Sequence, residues 1–303
     1  MSVKDSTFSE LKDLTFALIG REYTDSSNQY KRIVSLFNQG ARRAYRASNY
    51  WERFLVVAEP RTVTSGLVES TEDAYYVRGA GTSEANGLYT RDGTILHPKY
   101  SKFDSDGTTV LFDIRNNGSA ASIGANGTGS TSDVHYEGTS SGSDISETGW
   151  SVSSTGSADA KAPAPLVIDL ANIDTFLRIY KHEPFNRSHA QECDFYVKGG
   201  RAYVLGSSAQ ASQVFVTYKK EYTPNYTSAS AGSDTVPAEF LPYMAHYAAY
   251  TWQRSVEQNA SENNFALSLS IVNQVLEDEL AKLEAQGIYS TNVARKFKTY
   301  RNT

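Results

Sequence analysis

Hydrophobic residues recur with two different periods along this chain, and the switch between them divides it. Near the amino end Phe8, Leu11, Leu14 and Leu18 follow at helical intervals up to Gly20, and Thr7 with Glu10 has capping-box spacing. A second helix is predicted from about Ser27. Its buried face is Ile33, Val34, Phe37, Ala41 and Ala44, with Lys31, Arg32, Arg42, Arg43 and Arg46 on other faces. That basic set suits a solvated face, an intersubunit salt-bridge surface or a grip on phosphate. After Tyr50 and Trp51, the β-branched run Arg53 to Ala58 reads as a core strand.

Beyond Glu59 and Pro60 the period shortens to two. Strand-like pieces at Tyr75–Val77, Leu88–Thr90, Val110–Ile114, Val134–Tyr136 and Trp150–Val152 alternate with turns rich in Gly, Asn and Ser. Asn86-Gly87 and Asp92-Gly93 are strong hairpin signals. The stretch Asn116 to Ser132, nearly all small or polar, is expected to be a mobile surface loop, and Ser157 to Pro165 an extended linker.

From Leu166 strand signals become dense again: Leu166–Leu170, Thr175–Tyr180, Cys193–Val197, Ala202–Leu205 and Val214–Tyr218. Gly199-Gly200 reads as a two-residue hairpin turn. These strands form an antiparallel sheet expected to pair with Phe54–Val57. The last helices are marked by capping oxygens at Asp234 and Thr235, Pro237 in the first turn and Glu239 at the dipole's positive end. Phe240, Leu241, Met244, Ala248, Thr251, Trp252 and Val256 trace one face. After a break at Asn259 to Asn264, Phe265, Leu269, Val272, Leu276, Leu280 and Leu283 trace another, ending at Lys282 and Gly287.

The pattern therefore predicts an α+β protein. Amino-terminal helices and a carboxy-terminal antiparallel helical hairpin form a scaffold with a small antiparallel sheet, into which an all-β module is set. The expected division is scaffold over 1–70, module over 71–165, and scaffold with helical hairpin and terminal arm over 166–303.

Composition narrows the chemistry. At 303 residues the chain can bury a substantial core, and its formal net charge of −5 does not favour indiscriminate adhesion to nucleic acid or acidic membrane. The start, Met1 to Leu14, has no continuous apolar run and no stretch approaches a membrane span, so a soluble, cytosol-made protein is expected. The sequons at Asn117 and Asn225 are then coincidental. The single Cys193 excludes an internal disulfide and sits in a strand pattern as a small hydrophobe. Five scattered histidines (97, 135, 182, 189 and 246) show no paired ligand spacing, and no phosphate loop or nucleophile elbow is present, so no catalytic residue, metal or cofactor is expected.

After Gly287 the chain is basic and has no acidic residue. Val293, Phe297 and Tyr300 interleave with Arg295, Lys296, Lys298 and Arg301, which suits an arm that orders on a partner. Glu277, Asp278 and Glu284 on the last helix suit the wall of a channel through which duplex DNA slides without sticking.

Two resemblances follow from these residues. The phrase Gly79 to Thr94 with Pro98, Tyr100 and Trp150 is similar to a small β-domain found as an add-on in phage and marine microbial proteins. The scaffold, carried by Tyr30 to Val57 and Val236 to Arg254 with the Leu-rich helix after it, resembles the head-to-tail adaptor proteins of tailed phages. That resemblance implies a virion structural protein at the neck, assembled in the host cytoplasm. It implies a homo-oligomeric ring, typically of about twelve subunits, bound to the portal protein and to a tail or nozzle protein, with duplex DNA passing through and no membrane contact. Alternatives are a glycan-binding or adhesin-type tail component whose β-module carries function, and a hydrolase with two undetected carboxylates.

Overall fold

The computed structural model describes residues 5–92, 99–104, 107–125, 134–141, 144–154, 161–185, 191–256 and 270–281. From the amino end come β1 (Asp5–Thr7), α1 (Phe8–Ile19) and α2 (Asn28–Ala47). Strands β2 (Leu55–Thr62) and β3 (Leu67–Val68) precede a long run of β-structure. It comprises β4 (Asp73–Arg78), β5 (Gly87–Asp92), β6 (Lys99–Phe103), β7 (Val110–Asn116), β8 (Ala120–Ala125), β9 (Val134–Ser141), β10 (Asp144–Ile145), β11 (Ser151–Val152) and β12 (Ala164–Asp169). Then follow β13 (Ile173–Tyr180), β14 (Phe195–Lys198), β15 (Arg201–Val204), β16 (Gln213–Lys220), β17 (Thr235–Pro237) and α3 (Leu241–Val256). Helix α4 covers residues 270–281.

Strand accounts for 38% of the described residues, against four helices among them, and the largest element is a curled nine-stranded antiparallel sheet. The expectation of a helical scaffold carrying a small sheet is therefore overturned. The cause is pairing that local pattern does not encode. Leu166–Asp169, read as the start of the returning sheet, pairs instead with β4 along Leu166↔Tyr76 and Ile168↔Ala74, so the two ends of the β-rich stretch join each other. The supposed loop after Asn116 contributes β8, because Ala121 and Ile123 alternate inward and are 3% and 0% exposed. Part of the supposed linker, Ala164 and Pro165, opens β12.

Contacts divide the described chain into two compact units, one running up to Leu55 and resuming at Tyr222, the other spanning Val56 to Glu221. In the first, Thr7 caps α1 in a reciprocal capping box with Glu10, and Ser27 caps α2. All five predicted core positions of α2 are buried. They pack with Phe8, Leu11, Phe240, Met244, Ala248, Trp252 and Val272 in one core. Gly40 lets α2 and α3 approach closely: a Cβ there would stand 3.2 Å from the Tyr247 ring and 3.3 Å from the Met244 backbone. The indole N–H of Trp51 donates to the Ala44 carbonyl at 3.0 Å, satisfying an orphan acceptor at the end of α2. One expectation changes. Thr235–Pro237 does not cap a helix but pairs with β1, and α3 begins only at Leu241.

In the second unit the sheet runs β10-β9-β8-β7-β6-β5-β4-β12, with β11 also on β9. Its concave face holds Tyr75, Tyr89, Tyr100, Ile114, Ile123 and Tyr136, the last four aligned in register across strands as Tyr100↔Ile114↔Ile123↔Tyr136 once Tyr89 and Tyr75 are set aside as a neighbouring pair. Side chains reach across the open seam of the curl. The Tyr75 hydroxyl accepts from the Ile145 N–H at 3.2 Å, and the Glu147 carboxylate accepts from the Val167 N–H at 3.2 Å. Trp150 lies on β9, where Gly138 has no side chain: a Cβ there would stand 2.6 Å from the indole.

Two smaller sheets complete this unit, ordered β13-β16-β2 and β14-β15-β3. Strand β2 pairs across the excursion as the pattern predicts, but it is an edge strand and Val57 is 48% exposed rather than core. An edge position explains why Pro60 is tolerated inside it. Gly199 and Gly200 form the expected hairpin turn with φ of 61° and 76°, the left-handed values that a primed turn requires. Asn86-Gly87, by contrast, is not a hairpin turn. The Asn86 side chain accepts from the Ala80 N–H at 2.9 Å and donates to its carbonyl at 3.0 Å, closing a loop ahead of β5.

Candidate functional site

The predicted docking residues Val293, Arg295, Lys296, Phe297, Lys298, Tyr300 and Arg301, together with Glu284 and Gly287, lie outside the described residues. Glu277 and Asp278 are on α4, and both are exposed. The helix faces the core with Val272, and Val275, Leu276 and Leu280 pack against it. Cys193 is 5% exposed, and burial pushes its thiol pKa up, consistent with a small core residue. His246 sits half-buried on α3, where burial holds its pKa below the usual histidine value.

The aromatics of the resembled β-domain phrase are core. Tyr89, Tyr100 and Trp150 are 0%, 2% and 8% exposed. The Tyr89 hydroxyl donates to the Ala85 carbonyl at 2.6 Å, and the Trp150 indole donates to the Ser146 carbonyl at 2.7 Å. None of the three rings presents an open face on which a sugar could stack.

A cleft of about 610 Å³ opens in the β-rich unit, lined among others by Glu69, Glu72, Asp73, Arg91, Asp169 and Asn172. Asp73 and Asp169 are register partners on β4 and β12, so like charges face each other there. The Tyr100 hydroxyl bonds Asp73 at 3.1 Å. Glu72 accepts from the backbone N–H of Thr62 at 3.2 Å and also from its hydroxyl. Burial nonetheless pushes its carboxyl from 4.5 up to about 7, against those hydrogen bonds and the pull of Arg61. Among the described residues no group of three or more His, Cys, Asp or Glu side chains is arranged to hold a metal ion.

Beside the cleft lies a network that sequence reasoning missed. The Arg61 side chain is fully buried in β2. Its guanidinium bonds Glu59 at 2.8 Å, the Tyr218 hydroxyl at 3.1 Å and the Ala171 carbonyl. It also lies over the Tyr218 ring, 5.3 Å from its centroid. The signal available was Glu59-Pro60-Arg61 at the compositional break, but nothing local pairs Arg61 with a tyrosine on β16. The arrangement ties β2, β16 and the segment after β12 together.

Comparison with family models, curated proteins and solved structures finds no match for the chain. No helix among the described residues is long and apolar enough to cross a membrane.

Proposed function

We propose that this chain is a structural assembly protein of a tailed phage, a ring-forming adaptor between portal and tail that continues the DNA channel. The observation that supports this reading is the chain's routing. Helices from both of its ends share one core, and everything from Val56 to Glu221 is an excursion from that helical unit. The departure and return points meet in an aromatic cluster of Tyr45, Phe54, Tyr222 and Phe240, with Phe54 to Tyr222 at 4.8 Å and Phe54 to Phe240 at 5.6 Å. A unit built that way can make conserved-geometry contacts with identical neighbours while its excursion reaches other partners. The dense burial of Tyr89, Tyr100 and Trp150 weighs against sugar stacking by the β-rich unit.

In this reading the basic stretch after Gly287 is the portal-docking arm, with Phe297 and Tyr300 as anchors among Arg295, Lys296, Lys298 and Arg301. The test is co-sedimentation with portal-bearing heads. The full chain is expected to bind, and a chain ending at Gly287 to be lost from the pellet. Absence of binding by the full chain would remove the adaptor reading.

A further inference from the structure

We infer that the basic face of α2 is a subunit contact, and that it receives the acidic face of α4 from a second copy of this chain. The inference rests on the ring-forming reading and specifies its interface.

Helix α2 carries Lys31, Arg32, Arg42, Arg43 and Arg46, all exposed, and no acidic residue. At about 100° per residue these five fall within roughly 120° of its circumference and along roughly 22 Å of its axis. The opposite face is fully committed to the core through Ile33, Val34, Phe37, Ala41 and Ala44. Among the described residues none of the five cations forms an ion pair. Arg42 and Arg46, one turn apart, repel each other in the isolated subunit. Two of the guanidiniums are already positioned by α3: Arg32 lies 5.8 Å from the Trp252 ring centroid and Arg43 lies 4.9 Å from that of Tyr247. Side chains held in place before a partner arrives lose less freedom on binding.

Helix α4 has the complementary character. With Val272 buried against the core, its outward positions include Ile271, Gln274, Glu277 and Asp278, and residues 270–281 contain three acids and no cation. Ile271 is 42% exposed, an apolar centre beside the carboxylates. A cyclic ring needs two different, mutually complementary patches on every subunit, so that each contact joins one patch to the other. The α2 and α4 faces meet that requirement within one chain. A nucleic-acid partner would satisfy the cations alone and leave the acidic face of α4 without a role. On this inference Glu277 and Asp278 belong to a subunit contact rather than to a channel wall.

The experiment uses the full chain and two charge-reversed forms, Arg42→Glu with Arg46→Glu, and Glu277→Lys with Asp278→Lys. Sedimentation velocity reads assembly, duplex DNA retention reads nucleic-acid binding, and circular dichroism checks folding. Each reversed form alone is expected to self-associate at least about tenfold more weakly than the unaltered chain. An equimolar mixture of the two is expected to assemble again, because alternating subunits restore opposite charge at every contact. Reversed forms that assemble normally, or a mixture of two folded forms that stays dissociated, would overturn the contact while leaving the ring reading intact. If only the α2 reversal has an effect, and that effect is loss of duplex binding, the face is a nucleic-acid contact and the inference is wrong. An unaltered chain that stays monomeric both alone and with the portal protein present would remove the ring reading itself.

Discussion

Phe54 and Tyr222 lie ring against ring, 4.8 Å between centroids, although residues 55–221 separate them in sequence. Phe54 is the last aromatic before the chain leaves the helical unit, and Tyr222 is the first residue after it returns. Their proximity means that the helical unit sees the excursion as a closed loop. A linker of about six residues, at roughly 3.5 Å each, can bridge the gap.

Replacing Val56–Glu221 with such a Gly/Ser linker is therefore expected to leave a folded, predominantly helical protein that unfolds in one cooperative transition. Far-ultraviolet circular dichroism during heating is the measurement. A gradual, featureless melt would show that the helices depend on the β-rich unit.

Gly138 and Trp150 give a packing prediction. The indole occupies the space where a Cβ would stand at 2.6 Å, so Gly138→Ala forces the ring off β9. The expected cost is about 1–3 kcal/mol, as for other overpacked cores. Urea unfolding of the β-rich unit followed by tryptophan fluorescence checks it, and an unchanged midpoint would mean that β9 yields without strain.

Glu72 gives a pH dependence of unusual sign. Its folded-state pKa is raised from 4.5 to about 7, so the folded chain holds the proton more tightly than the unfolded one. Below about pH 4.5 both states are protonated and the contribution is fully present. As pH rises from there towards 7 the unfolded chain ionises first and stability falls, by up to about 3 kcal/mol, then levels off. Glu72→Gln is expected to remove that slope. Denaturant titrations of both forms at several pH values in this window decide it; parallel curves would show that Glu72 is not the titrating group.

Tyr218 tests the buried arginine. Its hydroxyl accepts from Arg61 at 3.1 Å, contacts Glu59, and stands 2.9 Å from the Ala171 carbonyl. Tyr218→Phe leaves Arg61 with one partner fewer in a fully buried position. The expected loss is about 1–3 kcal/mol in the β-rich unit.

What could be read from sequence was what is local. The Thr7–Glu10 capping box, the start of α2 near Ser27 and its five core positions depend on residues close in sequence, and the fold keeps all of them. Gly199-Gly200 was legible because only glycine enters two successive left-handed positions without strain. Partner choice was not legible. Leu166–Asp169 is a short strand-like run that suits either sheet, and only its long-range pairing with Asp73–Tyr76 assigns it to one. Asn86 looked like a turn residue, yet its amide is used twice on Ala80. The Arg61–Tyr218 contact joins two strands far apart in sequence, so no spacing rule could find it. Of the anticipated site, Glu277 and Asp278 are exposed as a surface role requires, whereas the arm after Gly287 falls outside the described residues.

The most direct test of the ring-forming proposal is electron microscopy of the purified chain mixed with the portal protein that the proposal assigns to it. A closed ring of this protein, coaxial with the portal and enclosing a continuous channel, is the expected image. A spike or fibre projecting from the particle, or monomers that never associate with the portal, would contradict it.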